Sequence, residues 1–198
     1  MFERDQQRGE IEMTAVRLPH RWTTEEYLAF ENANDGRHEF VGGEVYAMVG
    51  GTDVHNLLCT WISSLLIAGC PRTCQVFSQG MKLCVHRADD GDDYYYPDIF
   101  VSCSGSDRER LSRDQPCLIV EVLSPSTERI DRGEKMRAYR SIPSLIEYVI
   151  VCTDRPQVEV YNRASGWSKS VFAAGSTLTL PSVGVTLTVD QVYDRTAF

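Results

Sequence analysis

Tyr96-Pro97-Asp98-Ile99-Phe100-Val101 and Leu118-Ile119-Val120-Glu121-Val122-Leu123-Ser124 are the two stretches on which the fold turns. Each is an apolar, β-branched run of the kind that forms a buried strand, and each carries one carboxylate. An ionised acid inside a buried strand is costly unless something compensates it. If the strands lie side by side, Asp98 and Glu121 offer carboxylate oxygens to a divalent cation and leave room for water and a phosphate. The other reading is that each acid faces solvent or pairs with an arginine.

Working outward, Trp22-Thr23-Thr24-Glu25-Glu26-Tyr27 combines Thr23 as N-cap with Glu26 three residues on, and puts Trp22 and Tyr27 at staple positions. This predicts a short helix ending near Glu31. Two runs either side of Gly42-Gly43, residues 37–41 and 44–48, predict a hairpin with a two-residue loop. Val54, Leu57, Leu58, Trp61, Ile62, Leu65 and Leu66 recur at helical steps, and Gly69 supplies a stop. Strands are expected at 75–78, 81–86, 95–101, 117–123, 147–151 and 157–162. Turns are expected at 89–93 and at Ser124-Pro125-Ser126, and a helix over 131–141. The tail alternates short strands with turns and ends in a helical turn near Asp190. This order predicts an α/β (α+β-like) fold: a mixed sheet flanked by helices, with an N-terminal hairpin and a C-terminal β extension. Residues 1–17 read as a loose extension and 18–198 as one domain.

Composition excludes several classes. The net charge of −8 argues against tight non-specific binding to nucleic acid, which rests on neutralising phosphates, although a local basic face remains open. No apolar run approaches the roughly 18 residues of a membrane span. The polar first dozen residues lack a signal-peptide core, so a cytoplasmic location without membrane contact is expected. The seven cysteines are odd in number and sit mostly in apolar runs, and they read as reduced core thiols. Cys70 and Cys74 lack the partner pair a zinc site needs. Phosphate-binding Gly-x-x-x-x-Gly-Lys, nucleophile-elbow Gly-x-Ser-x-Gly and dinucleotide Gly-x-Gly-x-x-Gly motifs are all missing.

The remaining candidates each carry two readings. His55 opens a helix, either as part of its cap or to position water or phosphate. Glu39 is an edge-strand acid paired with Arg37 or Arg21, or a third acid beside a metal. Asp131 and Lys135 share a helix face. Asp131 with Glu134 fits an N-cap pattern. Lys135 is either a surface partner of Asp131 or reaches the site to stabilise a phosphorane-like transition state. Arg129, Arg132, Arg137 and Arg140 make a locally basic stretch that suits a phosphate backbone or simply a solvated face. Arg108, Arg110 and Arg113 lie in a polar loop with matching acids, either contacting DNA or forming a plain solvated loop. Tyr94-Tyr95-Tyr96 could stack bases or pack in the core.

Thr24-Glu25-Glu26-Tyr27, His38-Glu39-Phe40-Val41-Gly42-Gly43-Glu44-Val45, His55, Pro97-Asp98, Glu121-Val122-Leu123-Ser124-Pro125-Ser126-Thr127, Asp131-Arg132 with Lys135 and Tyr139, and Glu147-Tyr148 occur in an order that resembles the Uma-type restriction endonuclease family. That family is a former domain of unknown function within the PD-(D/E)XK nuclease superfamily, and the likeness covers roughly residues 18–190. The resemblance implies a restriction-endonuclease-like core and Mg²⁺-dependent phosphodiester hydrolysis, with Mn²⁺ as a substitute. Asp98 and Glu121 would bind the metal, Glu39 would support it and Lys135 would stabilise charge. Leu123 stands where the usual strand lysine belongs, and Lys135 is the natural replacement. Gly42 and Cys152 occupy places where the family commonly has Asp. The expected activity is a DNA endonuclease acting as a homodimer. The alternative is a catalytically silent nuclease-fold dimer that binds nucleic acid or protein. RNA as substrate is a third reading.

Overall fold

Pro97 divides the first signature stretch between two sheets. The expected strand over 95–101 is instead two strands, because proline has no N–H for the ladder and restricts the residue before it. In the computed structural model the described residues are 16–18, 20–48, 50–88, 91–105, 111–124 and 127–196. Strands β1 (Val16–Arg17), β2 (His38–Val41), β3 (Glu44–Ala47), β4 (Gln75–Ser78), β5 (Lys82–His86) and β6 (Asp92–Tyr95) precede the break at Pro97, and β7 (Ile99–Ser102), β8 (Ser112–Arg113) and β9 (Leu118–Val122) follow it. Helices α1 (Thr24–Ala33) and α2 (Asp53–Gly69) interrupt this series.

The next element, α3, is one helical run: α turns at Glu128–Ile130 and Met136–Ser141 flank a π-helical segment, Asp131–Lys135. Strands β10 (Glu147–Val151), β11 (Gln157–Asn162), β12 (Ser168–Ala173), β13 (Thr177–Leu180) and β14 (Val185–Thr188) follow, and α4 (Val189–Tyr193) comes after them. The first sheet has the order β1-β3-β2-β6-β5-β8 and the second β12-β11-β10-β9-β7-β4, with β13-β14 as a separate hairpin. In the second sheet β9 and β10 are parallel, joined through α3, while their outer neighbours are antiparallel. The sheet is therefore mixed, as expected.

Local chemistry explains the elements. Thr23 and Glu26 close a capping box on α1, and Thr52 caps α2 through the His55 amide. Gly42 and Gly43 both adopt positive φ, 59° and 85°, which a tight hairpin turn requires. Alternation along β9 sends Leu118, Val120 and Val122 into a core shared with α2 and the β13-β14 hairpin. Ile119 and Leu123 face the other way, into a core with Tyr139, Ile142 and Leu145 of the α3 region and Leu83, Val85 and Tyr95 of the first sheet. Tyr27 of α1 seals the far face of that sheet over Phe40, Val45, Cys84 and Tyr94. Tyr94, Tyr95 and Tyr96 are all buried, so they pack rather than wait for bases.

Four expectations need correction. Val16 and Arg17, assigned to the loose extension, pair with Ala47 and Tyr46 and extend the hairpin edge. The helix expected from 131 begins at Glu128, because Ser124 and Thr127 form the turn that starts it. Asp131 therefore sits inside the helical run and caps nothing. Cys74 and Cys103 are not free thiols: they lie at the ends of paired strands β4 and β7, and a disulfide joins them. Asp92 and Asp93, assigned to a turn, belong to β6. Residues 1–15, Asp89, Asp90, Arg108, Arg110, Pro125 and Ser126 lie outside the described residues.

Candidate active site

Glu121 faces the same side of β9 as Ile119 and Leu123, so the period of the strand aims its carboxylate at α3. There it is 2% exposed. Its Oε1 accepts hydrogen bonds from Lys135 Nζ at 3.2 Å and the Tyr139 hydroxyl at 2.9 Å. Its Oε2 accepts the Asp98 amide at 3.1 Å. Asp98 thus sits just before β7, beside Glu121 of the neighbouring strand. Asp98 Oδ2 accepts the Val122 amide at 2.8 Å and lies 3.1 Å from His55 Nε2.

Glu39 comes from the other sheet. Its Oε1 accepts the Tyr96 amide at 3.1 Å and lies 3.1 Å from Lys135 Nζ. The proline break makes this convergence geometric: Tyr96 and Asp98, either side of Pro97, give their backbone N–H groups to the two glutamates. Lys135 Nζ is also 3.6 Å from Asp131 Oδ1. The structure thus gathers Glu39, Asp98, Glu121, Lys135 and His55 into one connected cluster.

The sequence reading did not assign Asp131 and Tyr139 to this cluster. Their signal was helical spacing, since 131, 135 and 139 share a face. Tyr148 backs the same face by donating its hydroxyl to the Asp131 carbonyl at 3.0 Å. The basic stretch does not converge here. Arg132 is held by Glu128 and Glu159, and Arg140 lies over the Trp167 ring. Arg113 lies over Phe77.

Burial sets the electrostatics. It pushes the Glu121 carboxyl well above its usual range, and the Lys135 charge only partly offsets this. Burial raises Asp131 as well. It acts on Asp98 in the same direction, but the hydrogen bond and charge of His55, with Lys135 and the Val122 amide, bring Asp98 below the usual value. Burial works against the Lys135 ammonium, yet Glu121, Glu39 and Asp131 hold its pKa well above that of a free lysine. Burial also opposes charge on His55, and Asp98 overrides it, so His55 is raised. Low- and high-pKa carboxyls side by side are what coupled acids in a shared site show.

The donor set suits a divalent cation. Glu39, Glu121 and Asp131 surround one ammonium and Asp98 is tied to Glu121 through its amide, so four carboxyl groups share a single lysine. Asp131 Oδ1 is buried without a hydrogen bond among the described residues. Carboxylate oxygens in this number fit a hard, oxygen-seeking ion. On the α2 side, His55, Cys59 and Asp98 bring donor atoms within 4.8 Å of one another.

Comparison with known proteins gives the same picture of the fold. The family Uma2, described as "Putative restriction endonuclease", matches residues 24–190. The uncharacterized protein slr1290 of Synechocystis sp. is 34% identical over 181 residues, covering 88% of this chain and 92% of the relative. A second Synechocystis protein, sll1609, also uncharacterized, is 32% identical over 145 residues, covering 71% of this chain and 80% of the relative. Among solved structures, a crystal structure from Anabaena variabilis described as a putative nuclease belonging to DUF820 superposes with a TM-score of 0.70 at 17% identity. It covers 87% of this chain and 97% of the other.

Proposed function

The chain belongs to the Uma2 family, and from that premise we propose that it hydrolyses DNA phosphodiester bonds with Mg²⁺ as its cofactor and Mn²⁺ as a substitute. One observation carries this reading: Glu39, Asp98, Glu121 and Lys135 arrive from two sheets and a helix and meet within hydrogen-bond distance. Asp98 and Glu121 would hold the metal. Asp98 is positioned for this because its Oδ2 is fixed by His55 and the Val122 amide, while Oδ1 has no hydrogen bond among the described residues. When bound, the cation supplies Lewis-acid charge at the phosphate and lowers the pKa of a bound water.

The chain's own groups do the rest. Lys135 keeps its proton and presents positive charge where the attacked phosphate gains negative charge. Glu39 fixes the Lys135 ammonium from the first sheet and orients the attacking water. Water oxygen bonds to phosphorus as the bond to the leaving nucleotide oxygen breaks; the attacking water gives up one proton to solvent and the leaving oxygen takes one from solvent. His55 acts through Asp98 as a positioning residue. Cutting both strands of a duplex favours a two-fold dimer. The arrival of Lys135 beside Glu121 supports the enzymatic reading over a silent one, since the charge missing at Leu123 is supplied from α3.

The test is cleavage of duplex DNA, with RNA in parallel, by the full chain in Mg²⁺ or Mn²⁺. We expect DNA products that vanish with a chelator, and Asp98→Ala to lower the rate by several orders of magnitude. Equal cleavage by Asp98→Ala would overturn the assignment. Cleavage of RNA alone would move the substrate but keep the site.

A further inference from the structure

A second group of donors stands apart from the acidic cluster, on the β5-β6 hairpin. His86 lies opposite Asp92 in the antiparallel register, and Cys84, two residues before His86, points to the same face. His86 Nδ1 is 2.7 Å from Asp92 Oδ1 and 3.8 Å from Cys84 Sγ. The three donor atoms lie within 4.8 Å of one another. His86 Nε2, on the far side of the ring, is 3.3 Å from Asp114 Oδ2, just past β8, the neighbour of β5. The hairpin's other charged pair, Arg87 with Asp93, belongs to a different set of contacts, with Asp93 also accepting the Gly42 amide.

We propose that Cys84, His86 and Asp92 form a transition-metal site of the zinc class, with Asp114 orienting His86 from behind. Three features carry this. First, zinc–ligand bonds of about 2.0–2.3 Å place tetrahedral donors roughly 3.3–3.8 Å apart, so the present spacing needs only a small opening between His86 and Asp92. Second, an imidazole that gives its outer N–H to a carboxylate turns its other nitrogen's lone pair toward the ion, the usual support of a metal-bound histidine. Third, one thiol, one imidazole and one carboxylate make a borderline-soft set that selects zinc or cobalt over magnesium. His86 is 63% exposed at its side chain, which gives the ion a way in and a solvent position for a fourth ligand. Cys84 is a free cysteine. A bound ion ties the hairpin to the segment after β8 and serves structure, whatever reaction the acidic cluster performs.

The experiment is titration of Co²⁺ into the full chain without added thiol, read by the near-ultraviolet thiolate-to-cobalt charge-transfer band. We expect a band saturating at about one equivalent and displaced by Zn²⁺, whose d¹⁰ shell gives up no ligand-field energy on entering a tetrahedral thiolate site. The band should persist in Cys59→Ser, whose thiol lies beside His55, and vanish in Cys84→Ser and in the exposed variant His86→Gln. Asp114→Asn should keep the band with affinity about 10–100-fold weaker. Absence of the band in the unaltered chain, its survival in Cys84→Ser, its loss in Cys59→Ser, or undiminished affinity in His86→Gln would each overturn the proposal.

Discussion

Leu123 lies two residues beyond Glu121, on the same face of β9 and buried among the residues that line α3. A lysine there would point toward the acids Lys135 now reaches from the helix. In this chain the positive charge reaches the acids from α3 rather than from β9. Lys135→Met keeps most of the volume and removes the charge. We expect cleavage to fall about 10²–10³-fold, as when one transition-state donor is lost. Stability should fall by about 3–5 kcal/mol, because buried carboxylates lose their ion-pair partner. Adding Leu123→Lys to Lys135→Met should return part of the cleavage. A single Lys135→Met that cleaves at the original rate would remove Lys135 from the mechanism. Residue-level reading raised Asp98, Glu121, Glu39, Lys135 and His55 as candidates, each with a structural alternative, and the family resemblance was needed to join them into one expected site. It missed Asp131 because the Asp–Glu spacing imitates a cap, and only the earlier helix start shows that this aspartate is interior.

At the scale of elements, α3 decides the site's geometry. Its π-helical segment, Asp131–Lys135, adds a residue to one turn, a device common at functional positions. Gly133 within it has open space where a side chain would be. Deleting Gly133 should leave the fold intact by circular dichroism, since glycine inside a helix costs about 0.5–1 kcal/mol against alanine. It should abolish cleavage by rotating Asp131 against Lys135 and Tyr139. Retained cleavage would show that the π segment is not needed.

The outer side of α3 is tied to β11 by Arg132, which reaches the buried Glu159. Burial raises the Glu159 carboxyl, but the Arg132 hydrogen bond and charge, with the Tyr161 hydroxyl, win and hold it below the usual glutamate value. A depressed folded pKa contributes stability that is complete above the unfolded value and lost as pH falls through the folded one. Denaturant unfolding should therefore show stability declining below pH 4.5 more steeply for the unaltered chain than for Glu159→Gln. At neutral pH the variant should be about 1–3 kcal/mol less stable. Equal acid slopes would contradict this role for Glu159. The first two helices and the first hairpin were legible because caps, the Gly-Gly turn and apolar spacing are local signals, whereas the start of α3 was not. The split at Pro97 was less so, since an apolar run on both sides of one proline reads as a single strand.

On the scale of the whole molecule, the site exists only where the two sheets meet. Glu39 belongs to one sheet, Glu121 to the other, and Asp98 to the crossing between them. The mixed architecture was legible from element order, because the parallel β9-α3-β10 unit leaves a clear strand–helix–strand pattern. The pairing of Cys74 with Cys103 was not, since a cross-strand disulfide depends on the register of β4 against β7, which no local pattern encodes. No helix among the described residues is long and apolar enough to cross a membrane. The central claim is that sheet convergence makes a metal site at Asp98 and Glu121. The most direct measurement is a crystal structure of the full chain soaked in Mn²⁺, read by anomalous scattering. The account predicts a peak between the Asp98 and Glu121 carboxylates, next to Lys135. A well-ordered cluster with no peak there at saturating Mn²⁺ would contradict it.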